Sequence, residues 1–199
     1  MNSYYLLSWK HKKELASAFY AIKNQVAHEL MPELDGKNSL PFNFQLGRVR
    51  EKKDGLTMDG DLTDLKETWL DYQPNSLAWP LISERLKYLI EINLTGNEQV
   101  GWINCKVESE KEEKPYFVLR FNKMLDVLDM KKTMFVPGTD HIIKPVFAVS
   151  KISAYSIFSM PSSHNLWKIT SGLYISETLK KAIQKQKLTG LDFQKVSVA

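Results

Sequence analysis

The chain has 199 residues, a single cysteine and a formal charge of +4, so an internal disulfide and any zinc site built on cysteine pairs are excluded. Hydrophobic residues at 43% and charged residues at 25% fit one globular domain spanning residues 1–199 and exclude fibrous or disordered chains. No apolar run approaches the roughly 18 residues that cross a bilayer, and the short run at Tyr4–Leu7 lacks the form of a signal peptide, so a cytoplasmic protein without membrane association is expected.

In chain order, Tyr4 to Leu7 predicts a first strand. Leu15, Ala18, Phe19, Ile22, Val26 and Leu30 recur at helical spacing and predict a helix from Glu14 to Leu30. Phe42, Phe44 and Leu46 alternate as in a half-buried strand. Lys53-Asp54-Gly55 reads as a turn, and residues 54–64, rich in Asp and Gly, as an exposed loop. Trp69 to Tyr72 predicts another strand. Leu81-Ile82 leads into Ser83-Glu84, a Ser-capped helix start with an acidic first turn. Val100–Val107 and Pro115–Phe121 predict two strands joined by a solvated, charged tip. Met124 to Met130 predicts a short helix, and Ile142 to Ser159 one or two strands.

The last segment repeats an earlier one. Leu81-Ile82-Ser83-Glu84-Arg85-Leu86-Lys87-Tyr88-Leu89-Ile90 aligns with Tyr174-Ile175-Ser176-Glu177-Thr178-Leu179-Lys180-Lys181-Ala182-Ile183, with six of ten positions identical. Thr95-Gly96 follows the first copy and Thr189-Gly190 the second. The unit is a strand, a Ser-capped helix, a glycine-terminated end and a next strand. Either pseudo-symmetric halves or two independent solutions to one local problem accounts for it. The fold class expected is therefore α+β, with a mixed or antiparallel sheet flanked by a few helices.

Charge is unevenly spread. Residues 1–140 carry 19 basic and 21 acidic side chains, residues 141–199 carry 8 and 2. The excess is lysine, whereas phosphate and base-edge recognition favours arginine's fork, so no nucleic-acid partner is expected. Asp59-Gly60-Asp61-Leu62-Thr63-Asp64 superficially suggests calcium, but Asp64 stands where a calcium loop needs Gly and Leu70 where it needs Glu. No nucleophile elbow, phosphate-binding glycine loop or paired zinc histidines occur. Neither a catalytic residue, a metal nor a cofactor is expected.

Three stretches together resemble a bacterial family, the eleventh family of immunity proteins of polymorphic toxin systems. They are Trp79–Lys87, Tyr116–Phe121 running on to Met124–Asp129, and Leu173–Glu177 running on to Leu188–Phe193. The resemblance spans residues 69–196, leaving residues 1–65 as a variable N-terminal part. It implies an antidote that binds a cognate toxin encoded nearby and occludes it without catalysis. Partner choice differs between strains, so contacts are expected in loops and variable segments. The candidate contacts are Asp59, Asp61 and Asp64 in the acidic loop, Trp79 as an exposed aromatic beside Pro80, and Lys180, Lys181 and Lys185 on the last helix. Trp167 is a second candidate for an exposed aromatic. The rival reading is an enzyme or small-ligand-binding protein from a secretion-associated locus, which a deep pocket with convergent polar groups would reveal.

Overall fold

The structure, a computed structural model, describes residues 3–10, 15–20, 26–52, 55–163 and 165–199. Its strands are β1 (Tyr4–Trp9), β2 (Ser17–Tyr20), β3 (Phe44–Lys52), β4 (Gly55–Asp59), β5 (Tyr72–Gln73), β6 (Leu81–Ser83), β7 (Val100–Glu108), β8 (Glu113–Phe121), β9 (Met134–Phe135), β10 (Ile142–Lys144), β11 (Ile157–Ser159), β12 (Leu173–Ser176) and β13 (Leu191–Lys195). Its helices are α1 (Ala27–Leu30), α2 (Glu84–Asn93), α3 (Val149–Ile152) and α4 (Glu177–Lys185), with a 3-10 turn at Met31–Leu34.

A seven-stranded sheet runs β2-β3-β7-β8-β6-β5, with β4 paired to β3. Only β3 and β7 pair in parallel there; the other pairings are antiparallel. A second sheet, β11-β12-β1-β13, is antiparallel throughout. The fold is thus α+β with a mixed sheet. The longest ladder joins β7 to β8 from Val100↔Phe121 to Glu108↔Glu113, with the charged tip at residues 109–112.

The central sheet is buried on both faces. Leu81 of β6 lies in one core and its neighbour Ile82 in the other. On β8, Tyr116 and Val118 enter the core that holds Trp79, while Leu119 and Phe121 enter the core that holds Leu86 and Tyr4. This explains why these strands read as continuous apolar runs rather than alternating ones.

The sequence repeat is a structural repeat. β6 and β7 each pair antiparallel to β8, so they run parallel to one another on either side of it, with α2 crossing between them. β12 and β13 stand in the same relation to β1, with α4 as the crossover. Both units are split β-α-β arrangements. Their caps match: Ser83 accepts from Leu86 N–H at 3.2 Å and Ser176 from Leu179 N–H at 3.3 Å. The two helices touch each other. Each buries one stripe, Leu86, Leu89 and Ile90 in α2 and Leu179 and Ile183 in α4, as the 3.6-residue period requires.

Three expectations are corrected. Within the expected helix from Glu14 to Leu30, residues 17–20 form a strand and only Ala27–Leu30 is helical; Glu14 and residues 21–25 lie outside the described residues. Backbone pairing on both sides overrides the helical spacing: β2 takes β3 on one edge, and on the other Ala18 donates to Pro74 O at 2.8 Å and accepts from Ser76 N–H at 3.0 Å. Within the expected 54–64 loop, residues 55–59 are a strand on β3; the turn at residues 53–54 lies outside the described residues. Residues 124–130 are not helical, because the Asp129 backbone N–H donates to Val146 O at 2.8 Å and Val127 O accepts from Ala148 N–H at 3.0 Å, an extended pairing that a helix cannot make.

Candidate functional site

The acidic loop is organised by two arginines from β3. Arg48 Nη1 reaches Asp64 at 2.7 Å, and its Nε lies 3.9 Å from Asp59. Arg50 also pairs with Asp59. Asp59 and Asp61 each hold the backbone two residues on, Asp61 N–H at 3.0 Å and Thr63 N–H at 3.1 Å. Hydrogen bonds from Thr63, and secondarily the Arg48 charge, hold the Asp61 carboxyl below its usual range. The Arg48 hydrogen bond does the same for Asp64, and that bond raises Arg48 in turn. All three carboxylates thus help hold the loop's shape, while the Asp61 and Asp64 side chains stay exposed.

The fold also brings this loop to a segment the sequence kept apart. Gly60, Asp61 and Thr63 line a cleft of about 200 Å³ with Trp69 and residues Ser109 to Glu112 of the β7–β8 tip. A Cβ on Gly60 would meet Glu110 Oε1 at 3.0 Å. Two charged, mainly acidic stretches thus meet at one end of the molecule, with Lys111 among the carboxylates.

Trp79 is not exposed. It is 1% accessible, which corrects the expectation of a surface aromatic. The Asn75 amide brackets it, accepting from Trp79 N–H at 3.1 Å and donating to its carbonyl at 2.7 Å. That bracket folds the 74–80 loop inward, over Phe42 and Leu81. Trp167 is half-buried against the other core.

On α4 the three lysines differ. Lys180 lies 3.7 Å above the Tyr5 ring, a cation–π contact. Lys181 pairs with Glu177 one turn earlier at 3.2 Å, and this pairing holds the Glu177 carboxyl low. Lys185 is exposed. These lysines belong to the four-stranded sheet's crossover, whereas the acidic end belongs to the β3–β4 edge of the larger sheet. The two candidate patches therefore do not form one site.

A third surface carries residues the sequence reading missed. A cleft of about 520 Å³ is lined by Met124, Leu128, Met130, Phe135, Ile142 and Pro161, with Asp126, Asp140 and two serines at its polar margin. Met124 and Met130 remain 49% and 62% exposed. The signal was present as three methionines among lysines between 124 and 134.

Among the described residues, no group of three or more metal-ligating side chains is placed to hold an ion, and no helix is long and apolar enough to cross a membrane. Cys105 is buried and its thiol is pushed up to about 12 by that burial, the state of a structural rather than a reactive cysteine.

An α+β chain of two split β-α-β units with charged ends and an open apolar cleft has the equipment of a binding protein. The chain matches the family model described as Immunity protein family (Imm11) over residues 7–198. It belongs to that family, and membership implies a toxin-neutralising immunity role. The match takes in the N-terminal part that the sequence left unplaced. A comparison with curated proteins finds no match.

Proposed function

We propose that this protein neutralises a cognate bacterial toxin by binding it as a folded domain and covering its active surface, without catalysing any reaction, in the cytoplasm of the producing cell. The family match over residues 7–198 carries the reading. The geometry supports it in two ways. The acidic end and the α4 lysines present exposed charge on elements held by hydrogen bonds and packing, so little conformational freedom would be lost on binding. Such charges steer encounter and set specificity more than they set affinity.

Asp59, Asp61 and Asp64 are proposed as contacts at one end, with Asp61 and Asp64 the better placed because they are more exposed. Lys181 and Lys185 are proposed on α4, with Lys180 held back over Tyr5. Trp79 is not among them. A standard interface needs about 800 Å² from each partner.

The test is rescue. The toxin encoded beside this gene is expressed in a sensitive host with and without this protein. Restored growth together with a co-purifying complex supports the reading. Unrelieved toxicity and no complex would refute it.

A further inference from the structure

Five exposed large apolar side chains fall within twenty residues of chain: Met124, Met130, Met134, Val136 and Ile143, each between 40% and 62% accessible. Scattered surface apolar residues are ordinary, but a contiguous group marks a contact surface. Here the group is contiguous by construction. Met124 and Met130 line the 520 Å³ cleft together with Phe135 and Ile142. Phe135 and Ile142 face each other across the β9–β10 hairpin. The pairing shifts register between Ile142 and Lys144, and Met134, Val136 and Ile143 lie outside the cleft lining and stay exposed. A two-stranded hairpin is marginal alone, and this one lays Phe135 and Ile142 along the cleft and leaves Met134, Val136 and Ile143 to solvent.

The exposed Asp140 at the cleft margin pairs with no described cation, but the lysines around the hairpin outnumber it. Asp126 is taken by Lys151 at 2.7 Å. Asp129 is taken by the backbone N–H groups of Lys131 and Lys132 at 3.0 and 3.3 Å. The exposed Lys123, Lys131, Lys132 and Lys144 pair with no described carboxylate. Lys144 stands directly opposite Met134 in the hairpin register.

We infer that the β9–β10 hairpin and the cleft beneath it dock an acidic, apolar-faced segment of the toxin. This rests on the immunity reading above. The lysine rim supplies charge complementarity, and the methionines supply an adaptable apolar floor. A small molecule would fill the cleft but leave Met134, Val136 and Ile143 uncovered. A membrane-binding face favours Trp and Phe at the interface, and the exposed group holds neither.

The experiment uses the full chain and the purified product of the adjacent toxin gene, with affinity read by calorimetry at two salt concentrations. Met130→Glu and Met134→Glu are each expected to weaken binding by at least about tenfold, as centrally placed contacts do. The double variant Lys131→Glu/Lys132→Glu is expected to weaken it too and to flatten its salt dependence. Ile92→Glu, at an exposed side chain of α2, is expected to bind as the parent does, and unchanged melting curves show that all variants are folded. A parent complex that tolerates every hairpin variant overturns this inference and leaves the immunity reading intact. No complex with the parent chain overturns both. Methionine methyl resonances of the hairpin that shift when the protein is concentrated alone, or on anionic vesicles, while the toxin leaves them unchanged, assign the surface to a second copy or to a membrane and overturn it as well.

Discussion

Thr189 and Asp71 are 118 positions apart, yet Asp71 Oδ2 accepts from the Thr189 backbone N–H at 2.8 Å and from its hydroxyl at 3.2 Å. The same relation recurs in the other repeat, where Thr95 donates its N–H at 3.1 Å and its hydroxyl at 3.0 Å to Glu98. Both carboxylates are buried, Asp71 at 5% and Glu98 at 1% exposure. The threonine that closes each crossover helix is thus tied to a buried acid, and a buried acid needs such partners. Asp71 also accepts from the Ser83 hydroxyl at 2.7 Å, so one carboxylate joins the cap of the first helix to the end of the second.

The caps should therefore be unequal. Ser176→Ala removes an ordinary N-cap and is expected to cost about 1 kcal/mol. Ser83→Ala also strips a hydrogen bond from buried Asp71 and is expected to cost about 2 kcal/mol. Urea unfolding of the two variants checks the order.

The two glycines after the helices should be unequal as well. Gly96 and Gly190 have φ of +92° and +82°. A Cβ on Gly96 would meet nothing within 4 Å, while on Gly190 it would lie 2.4 Å from Tyr72 O. Gly96→Ala is expected to cost about 1–2 kcal/mol from the backbone alone. Gly190→Ala adds a clash with main chain that cannot turn aside, for a total of at least about 3 kcal/mol. Thermal unfolding separates them.

Acid should loosen the acidic end and the start of α4. Asp61, Asp64 and Glu177 titrate lower in the folded protein than as free side chains, through Thr63, Arg48 and Lys181 respectively. The unfolded chain therefore takes up these protons first. Their contribution is complete above the ordinary carboxylate range and is lost as pH falls through the depressed folded values. Asp64→Asn and Glu177→Gln are expected to flatten the decline of stability below about pH 4, read from urea midpoints across the acid range.

Cys105 should resist alkylation. Iodoacetamide at pH 8 is expected to label the native protein far more slowly than the urea-unfolded chain, because burial raises the thiol and shields it. Equal rates would mean that the Cys105 environment opens readily.

What the sequence made legible was local and repeated. The Ser-capped helices, their glycine ends and the β7–β8 hairpin all rest on interactions within about twenty residues. The duplicated Leu-Lys pattern pointed to two units, and the topology turns each into a split β-α-β arrangement. What stayed hidden depends on distant partners. Ser17–Tyr20 has helical spacing but finds β3 and the 74–76 segment on its two edges. Trp79 follows a loop signal, yet Asn75 turns it inward. Asp61 and Glu110 belong to separate charged runs, and only the fold closes them around one cleft. Met124 to Met130 reads as a short helix, but pairing with Val146 and Ala148 holds it extended and leaves Met124 and Met130 exposed.

The central claim is that neutralisation is stoichiometric binding. The direct measurement is the activity of the adjacent gene's toxin as this protein is added in increasing molar ratio. The account expects activity to fall linearly to an end point at one equivalent, with full activity recovered when the complex is dissociated. Inactivation by a small fraction of an equivalent, or a loss that survives separation of the two proteins, would contradict it and point to catalysis.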